Sequence, residues 1–201
     1  MRHYRRNIVI AERKMADEIT QIFKDAGAMQ EGHFLLTSGL HSPVYWEKFR
    51  ILQHPGHTVK LCRLIAEHFK DKDIQVVAGP TTGGILIAFE VARQLGIRSI
   101  FAEKEDGKRV FRRSLTIDRG ERILIVDDVL TTGGSVREVI DAVGAHNGEI
   151  VGIAVLVDRT GEGVDFGFPL FSCLKAVTPA YKPEECPLCA AGIPLTRPGG
   201  H

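Results

Sequence analysis

The sequence has few cysteines and no long apolar run. Four cysteines in 201 residues are too few for a disulfide scaffold, and they fit a reducing compartment. The longest apolar stretches, such as residues 85–89 and 150–157, are far shorter than the roughly 20 residues that span a bilayer. The basic start of the chain is not followed by an apolar core and a cleavage site, so we expect no secretory signal. We therefore expect a cytoplasmic protein with no membrane partner.

The sequence also lacks an excess of either charge. Its 26 basic and 25 acidic residues leave a net charge of +1, so no global field favours nucleic acid or an anionic surface. The chain is 44% hydrophobic and 25% charged, which is typical of a soluble globular protein. A chain of this length can bury a full core as one domain. We expect a single domain of residues 1–201 with no nucleic-acid partner.

Apolar runs without alternation occupy the middle of the chain. They are separated by segments with helical periodicity, which indicates a parallel sheet covered on both faces over about residues 55–160. The expected strands are 74–80, 98–102, 122–128 and 149–159. The expected helices are 59–69, which precedes the first strand, and 85–95 and 136–143, which lie between strands. Ahead of them, the spacing predicts a helix over 11–26 that ends at Gly27, and "FLLTSGLHSPVYW" predicts two short strands around a Ser-Gly turn.

Acidic and small residues follow the third of these strands. The segment "ILIVDDVLTTGGS", residues 123–135, places Asp127 and Asp128 at the carboxyl end of a strand, where parallel sheets bind ligands. The loop behind them opens a helix, whose N–H groups and dipole attract a phosphate. Two carboxylates do not hold a phosphate, but they accept hydrogen bonds from a vicinal diol. The pattern indicates a ribose 5-phosphate site, and its phosphate loop comprises Thr131, Thr132, Gly133, Gly134 and Ser135.

Two other interpretations of this motif are excluded by the sequence, and two remain as alternatives. A Walker phosphate loop is excluded because no Gly-Lys-Ser/Thr follows the glycines, and a dinucleotide fingerprint is excluded because no G-x-G-x-x-G follows a strand. An acidic pair that holds only Mg²⁺ is an alternative that leaves "TTGGS" unexplained. A helix cap with a glycine turn is another alternative.

Two further segments could meet anions. "AGPTTGG", residues 78–84, is a strand-to-helix turn that can present several amides to an anion or can be a tight connection only; its candidates are Gly79, Thr81, Thr82 and Gly83. "EKEDGKRVFRRS", residues 103–114, is polar and crowded with cations. As a mobile loop it would stabilise negative charge on a leaving group and exclude water. The alternative for that segment is a solvated hairpin.

The acidic motif resembles the signature of the type I phosphoribosyltransferases. The resemblance extends over most of the chain and is to the orotate phosphoribosyltransferases, particularly a thermophile-type bacterial and archaeal branch. The segments that carry it are "GHFLLTSGLHSPVYW", "GPTTGGILIAFEVARQLG", "VLVDR" and "CPLCAAGIPLTRPG". The resemblance implies an α/β fold with a central parallel sheet flanked by helices, and a small hood from about residues 28–50 and 160–201. It also implies a homodimer that transfers the ribosyl 5-phosphate of phosphoribosyl pyrophosphate to orotate. The products would be orotidine monophosphate, in pyrimidine biosynthesis, and Mg²⁺-bound pyrophosphate.

The resemblance assigns roles to several residues. It places Mg²⁺ with the pyrophosphate, near Asp127 and Asp128, and it places the pyrophosphate in the turn of residues 79–83. Catalytic lysines of a loop that closes over the neighbouring subunit correspond loosely to Lys104 and Lys108, with Arg109 near an expected histidine. Residues implied at the base are Arg159, Thr37, Tyr45 and Trp46.

The sequence departs from the family pattern at two positions. Thr37 and Gly83 stand where the family commonly has lysines. Because of this, a purine base remains an alternative substrate. A regulator that only senses phosphoribosyl pyrophosphate is an alternative from another class, although no added nucleic-acid-binding module is evident.

A cysteine pair near the end has the spacing of a zinc knuckle. Cys186 and Cys189 enclose Pro-Leu, but Cys173 and His201 are isolated and form no clear second pair. We therefore expect two packed thiols in a capping turn, with a bound metal as the alternative.

Overall fold

The computed structural model describes residues 2–36, 38–161 and 163–198, with side chains from residue 14 onward. The chain divides into two compact units. One unit consists of both chain ends, Met1–His54 and Val177–His201, and the other is the continuous segment Pro55–Ala176. The predicted hood of residues 28–50 and 160–201 overlaps the first unit, whereas residues 160–176 belong to the second.

The smaller unit contains a long helix, a two-stranded sheet and short helical turns. Its elements are α1 Arg2–Asp25, β1 Met29–Leu35, β2 His41–Trp46, α2 Lys48–Leu52, a 3-10 turn Pro183–Glu185 and, near the end of the chain, α6 Pro187–Ala190. Helix α1 begins earlier than the predicted 11–26 and stops before Gly27, whose φ of +64° is a left-handed conformation that favours glycine. The two predicted strands around the Ser-Gly turn are confirmed as the antiparallel pair β1–β2.

The larger unit is an α/β fold around a six-stranded sheet. Its elements are α3 Pro55–Phe69, β3 Val76–Pro80, α4 Gly83–Leu95, β4 Arg98–Glu105, β5 Lys108–Phe111, β6 Arg122–Leu130, α5 Gly134–Ala145, β7 Glu149–Asp158 and β8 Leu170–Lys175. The strand order is β5-β4-β3-β6-β7-β8, and all neighbours are parallel except the edge pair β4–β5. The four predicted strands and the three predicted helices are confirmed. Strand β5 belongs to the hairpin that was the alternative for residues 103–114, and β8 was not predicted.

Both faces of the central strands are buried. Val76, Ile123 and Ile153 join a cluster that includes residues of α5. Val77 and Leu124 are also fully buried, and because they alternate with the first set they face the other side of the sheet. There α4 contacts β3, β4 and β6, and α3 packs on α4, β7 and β8. Burial on both faces explains why these strands read as unbroken apolar runs.

Candidate active site

The carboxyl ends of three parallel strands lie along one edge of the larger unit's sheet. Strand β3 ends at Pro80, β6 at Leu130 and β7 at Asp158. The backbone N–H of Arg159 donates to the carbonyl of Leu130 at 2.9 Å, which ties the chain after β7 to the end of β6. The three candidate segments that follow these strands are therefore gathered at the edge where α/β sheets bind ligands.

The acidic pair is buried and oriented by the motif itself. Asp127 and Asp128 are 5% and 2% exposed at the end of β6. One oxygen of Asp127 accepts from the N–H of Asp128 at 2.8 Å, and the other accepts from the hydroxyl of Ser135 at 2.6 Å. Asp128 accepts from the N–H of Val129 at 2.7 Å. The Ser135 contact joins the end of the strand to the first turn of α5, so the acidic pair is connected directly to the phosphate loop.

The phosphate loop contains a glycine in the left-handed conformation directly before the N-terminus of α5. Gly133 has φ +81° and is buried, and a Cβ there would lie 2.9 Å from the ring of Phe166. Gly134 begins α5, whereas Thr131 and Thr132 before it are exposed. The first N–H groups of a helix have no acceptor within the helix and carry its positive dipole end. Exposed hydroxyls and unused amides at one point make a favourable site for a phosphate.

The "AGPTTGG" turn requires glycine at positions 79 and 84 for packing. A Cβ on Gly79 would lie 2.3 Å from the carbonyl oxygen of Gly84, and a Cβ on Gly84 would lie 2.5 Å from the ring of Pro80. Between them, Thr81 and Thr82 are joined by a cis peptide bond. Gly83 is the first residue of α4. Close approach of strand and helix therefore accounts for Gly79, and anion binding by this turn stays a prediction.

The guanidinium of Arg109 forms hydrogen bonds to the same turn. It donates to the hydroxyl of Thr81 at 3.0 Å, to the carbonyl of Thr81 at 3.3 Å and to the carbonyl of Ala102 at 3.1 Å. Arg109 also pairs with Glu138 of α5 at 3.1 Å, and its side chain is only 8% exposed. Arg109 therefore links β5, the turn after β3 and helix α5. The sequence marked this arginine as one of several loop cations, but its partner in the turn lies 28 positions away.

The cation-rich segment of residues 103–114 forms an edge hairpin in this structure. Strands β4 and β5 pair around Asp106 and Gly107, which both have positive φ, as a two-residue hairpin turn requires. The structure thus has the hairpin that was the alternative to a mobile loop. Lys104 pairs with Glu138 at 3.5 Å, while Lys108 is exposed at the start of β5. A catalytic role for these two lysines stays a prediction.

Comparison with known proteins identifies the family to which this arrangement belongs. The phosphoribosyl transferase domain family matches residues 49–180. An orotate phosphoribosyltransferase of Caldicellulosiruptor bescii is 50% identical over 183 residues, which cover 91% of this chain and 96% of that protein. The chain belongs to the orotate phosphoribosyltransferase family. An orotate phosphoribosyltransferase of Desulforamulus reducens is 48% identical over the same shares of both chains.

A solved structure supports the family assignment. The orotate phosphoribosyltransferase of Mycobacterium tuberculosis, in complex with inorganic phosphate, superimposes with a TM-score of 0.64 and 27% identity. The alignment covers 81% of this chain and 94% of that one. The predicted type I fold, a mostly parallel sheet flanked by helices, is therefore confirmed.

The residues that the family resemblance assigns to the base lie in both units. Arg159 follows β7 in the larger unit, and the neighbouring Asp158 accepts from the N–H and the hydroxyl of Thr160. Thr37 lies outside the described residues. Tyr45 is half-buried in the smaller unit, where its ring lies 5.7 Å from that of Phe34.

Trp46 is part of the core of the smaller unit. Its side chain is 8% exposed, its ring meets Phe23 edge-on at 5.5 Å, and its indole N–H donates to the hydroxyl of Thr178 at 3.3 Å. Successive residues of a strand point to opposite faces, so Tyr45 and Trp46 do not share a surface. Packing accounts for Trp46 without a substrate.

The expectation that Cys186 and Cys189 have no second ligand pair is wrong. His33 of β1 and His41 of β2 lie beside them in the smaller unit, and the ligand atoms of all four lie within 4.8 Å of one another. The two histidines are about 150 positions away along the chain, so spacing near the cysteines gave no sign of them. Cys173 lies in the larger unit, and His201 is outside the described residues.

No membrane span was expected. Among the residues that the structure describes, no helix combines the length and the apolar character that crossing a bilayer requires.

Proposed function

We infer that this protein catalyses the transfer of the ribosyl 5-phosphate group from phosphoribosyl pyrophosphate to orotate, releasing pyrophosphate and forming orotidine monophosphate. The observation that carries the inference is the contact between Asp127 and Ser135, which joins a buried carboxylate pair to the N-terminus of α5. A diol acceptor and a phosphate site fixed to each other match a ribose 5-phosphate. Relatives of the same name at about half identity support orotate as the acceptor.

The proposed mechanism depends on the negative charge that develops on the leaving pyrophosphate. In the proposed complex the 5-phosphate lies at the first turn of α5, and the ribose hydroxyls donate to Asp127 and Asp128. The pyrophosphate then extends toward the turn at Thr81, which Arg109 holds rigid. As the bond from the anomeric carbon to pyrophosphate breaks, negative charge grows on the leaving group. Preorganised amides in that turn stabilise this charge without reorganising during the step.

Mg²⁺ enters this proposal as part of the substrate. Pyrophosphate carries several negative charges, and Mg²⁺ binds phosphate oxygens together with one or two carboxylates. Asp127 and Asp128 offer carboxylate oxygens at the same sheet edge, so the donor set fits the ion. Bound Mg²⁺ would offset part of the negative charge on the leaving pyrophosphate.

Orotate differs from other bases by its carboxylate, and Arg159 is the residue proposed to bind it. A guanidinium fork binds a carboxylate through two parallel hydrogen bonds. The backbone contact to Leu130 fixes Arg159 at the edge that also holds the acidic pair. Truncating one partner of such a contact costs roughly 2–5 kcal/mol. Arg159→Ala should therefore raise the KM for orotate at least about tenfold, and the KM for phosphoribosyl pyrophosphate much less.

A base panel tests the proposed function. The purified protein is incubated with phosphoribosyl pyrophosphate, Mg²⁺ and, separately, orotate, uracil, adenine, guanine and xanthine, and released pyrophosphate is measured. We expect turnover with orotate alone. Turnover with a purine and none with orotate would establish the other base class, and no turnover with any base would favour a sensor of phosphoribosyl pyrophosphate.

We also propose that the protein acts as a homodimer. Two large apolar side chains one turn apart on α4, Leu86 and Phe89, are 52% and 61% exposed, which suits a contact with a second copy. If the β4–β5 hairpin serves the neighbouring subunit, a variant lacking Asp127 and Asp128 should be complemented by a variant lacking Lys104 and Lys108. Mixing the two impaired variants would then restore part of the activity. Proven subunit exchange without any recovery would contradict action across the interface.

A further inference from the structure

The smaller unit contains a group of metal-binding side chains that the proposed reaction does not use. We call it the His–Cys cluster, and it consists of His33, His41, Cys186 and Cys189. Two of its members come from the β1–β2 hairpin and two from the end of the chain. The first pair and the second pair are separated by about 150 residues of sequence.

The ligand atoms of the cluster converge on one point. His33 Nε2 lies 3.0 Å from His41 Nδ1, 3.5 Å from Cys186 Sγ and 3.7 Å from Cys189 Sγ. Cys189 Sγ lies 3.2 Å from His41 Nδ1. Zinc bonds of about 2.0–2.1 Å to nitrogen and about 2.3 Å to sulfur place the atoms of a tetrahedron roughly 3.3–3.8 Å apart. The separations of 3.5 and 3.7 Å fall in that range, the two others are 0.1–0.3 Å shorter than its lower limit, and all pairs lie within 4.8 Å.

The orientation of His33 also suits a metal ligand. Its other ring nitrogen, Nδ1, lies 2.7 Å from the carbonyl oxygen of Ile193, to which it donates. A proton on Nδ1 leaves the lone pair of Nε2 directed at the cluster. Metal-binding histidines commonly have such a backbone acceptor behind them, which fixes the tautomer and the ring. His33 and His41 are 2% and 5% exposed and Cys186 is 3% exposed, so three of the four side chains are shielded from water.

We propose that the His–Cys cluster binds a structural Zn²⁺ ion. Two imidazoles and two thiolates in a tetrahedral arrangement are a donor set that zinc prefers, whereas Mg²⁺ and Ca²⁺ prefer oxygen and Cu²⁺ prefers tetragonal sites. Four protein ligands fill the coordination shell and leave no position for a substrate. The ion therefore has a structural role.

The structure shows what such an ion would stabilise. In the segment of residues 177–198, Cys186 is the only buried residue, so apolar burial holds this segment weakly. Three of the four backbone hydrogen bonds that attach it to the hairpin involve the cluster histidines, and the fourth runs from the N–H of Leu35 to the carbonyl of Thr196. Thr196 N–H donates to His33 O, and His41 and Tyr181 exchange two bonds at 2.8 Å. Zinc would connect the end of the chain to the hairpin at His33 and His41.

The other cysteines provide a matched control. Cys62 and Cys173 lie in the larger unit, where burial raises the pKa of both thiols, that of Cys173 to about 12. Cys173 Sγ donates to the carbonyl of Leu61 at 3.5 Å. These are packed, protonated thiols outside the cluster, so Cys173→Ala removes a buried sulfur without removing a proposed ligand.

Metal analysis of the purified full-length protein tests the proposal. The protein is reconstituted with Zn²⁺ under reducing conditions, passed through a desalting column and analysed by mass spectrometry for metals. We expect one zinc per chain in the wild type and in Cys173→Ala, and loss of stoichiometric zinc in Cys189→Ala, whose side chain is exposed and contributes little packing. Wild-type protein without zinc, or equal zinc in Cys189→Ala and wild type, would overturn the proposal.

Two further readouts separate a metal site from a mere packing role. Co²⁺ in place of Zn²⁺ should give the thiolate charge-transfer band and the visible bands of a tetrahedral ion, and both should vanish in the double variant Cys186→Ala, Cys189→Ala. Removal of zinc by a chelator should raise amide hydrogen exchange in residues 177–198 and leave helix α5 unchanged. Absence of the thiolate charge-transfer band in the wild type, or exchange that does not respond to the chelator, would overturn the assignment. None of these measurements depends on catalytic activity.

Discussion

Replacing Arg109 by methionine tests how the pyrophosphate turn is held in place. The guanidinium makes three hydrogen bonds to Thr81 and Ala102 and an ion pair with Glu138, and its side chain is 8% exposed. Methionine has a similar length and no donors. A hydrogen bond to a charged group contributes about 1.5–3 kcal/mol, and bonds within one network are not additive. We therefore expect the free energy of unfolding to fall by about 3 kcal/mol.

Thermal unfolding and steady-state kinetics measure the two consequences. For a chain of this size, each kcal/mol lowers Tm by roughly 2–4 °C, so Arg109→Met should lower it by about 6–12 °C. Because the freed turn is proposed to bind pyrophosphate, the KM for phosphoribosyl pyrophosphate should rise at least about tenfold, equivalent to about 1.4 kcal/mol. The KM for orotate should change much less.

A neighbouring arginine provides the control for this experiment. Arg112 lies in the same segment and pairs with Glu105, and the two side chains are 55% and 43% exposed. Such surface pairs contribute about 0–1 kcal/mol, so Arg112→Met should leave Tm and both KM values nearly unchanged. If Arg109→Met behaves like Arg112→Met, with Tm lowered by less than about 2 °C and an unchanged KM for phosphoribosyl pyrophosphate, then Arg109 does not position the turn.

The remaining predictions concern the acidic pair and the phosphate loop. Asp127→Asn and Asp128→Asn should each weaken use of phosphoribosyl pyrophosphate by about 1.5–3 kcal/mol while the fold survives; unchanged kinetics in both variants would refute the diol assignment. Ser135→Ala should lower kcat/KM for the same substrate, because Asp127 loses the hydroxyl that orients it. Gly133→Ala should destabilise the protein by about 1–3 kcal/mol because of its positive φ. Gly134→Ala, whose Cβ would meet only Thr132 at 3.8 Å, should keep its Tm and lose phosphate affinity; equal Tm values for the two glycine variants would contradict this.

The sheet could be predicted from the sequence because its central strands are continuous apolar runs. β3, β6 and β7 are buried on both faces, so they appear as apolar runs without alternation. The acidic pair follows such a run directly, and the strand-loop-helix order places Asp127 near Ser135 by local geometry alone. β5 is a four-residue edge strand, Lys108–Phe111, and its charged residues are compatible with either a mobile loop or a solvated hairpin, so the sequence alone did not decide between them.

Contacts between distant segments could not be predicted in the same way. Arg109 reaches Thr81 across the sheet edge, and the pattern around either residue does not encode the other. The His–Cys cluster is assembled from residues about 150 positions apart, so only the fold reveals its second pair. Trp46 was assigned to the base because of a family resemblance, whereas its burial against Phe23 is a property of the packed unit.

We propose that the edge formed by the ends of β3, β6 and β7 binds a ribose 5-phosphate. A crystal structure of the protein with orotidine monophosphate bound would locate this group. We expect the phosphate at the amides and hydroxyls of residues 131–135 and the ribose hydroxyls within hydrogen-bond distance of Asp127 and Asp128. A phosphate located elsewhere, or a ribose without contact to either carboxylate, would show that this edge does not bind ribose 5-phosphate in the proposed way.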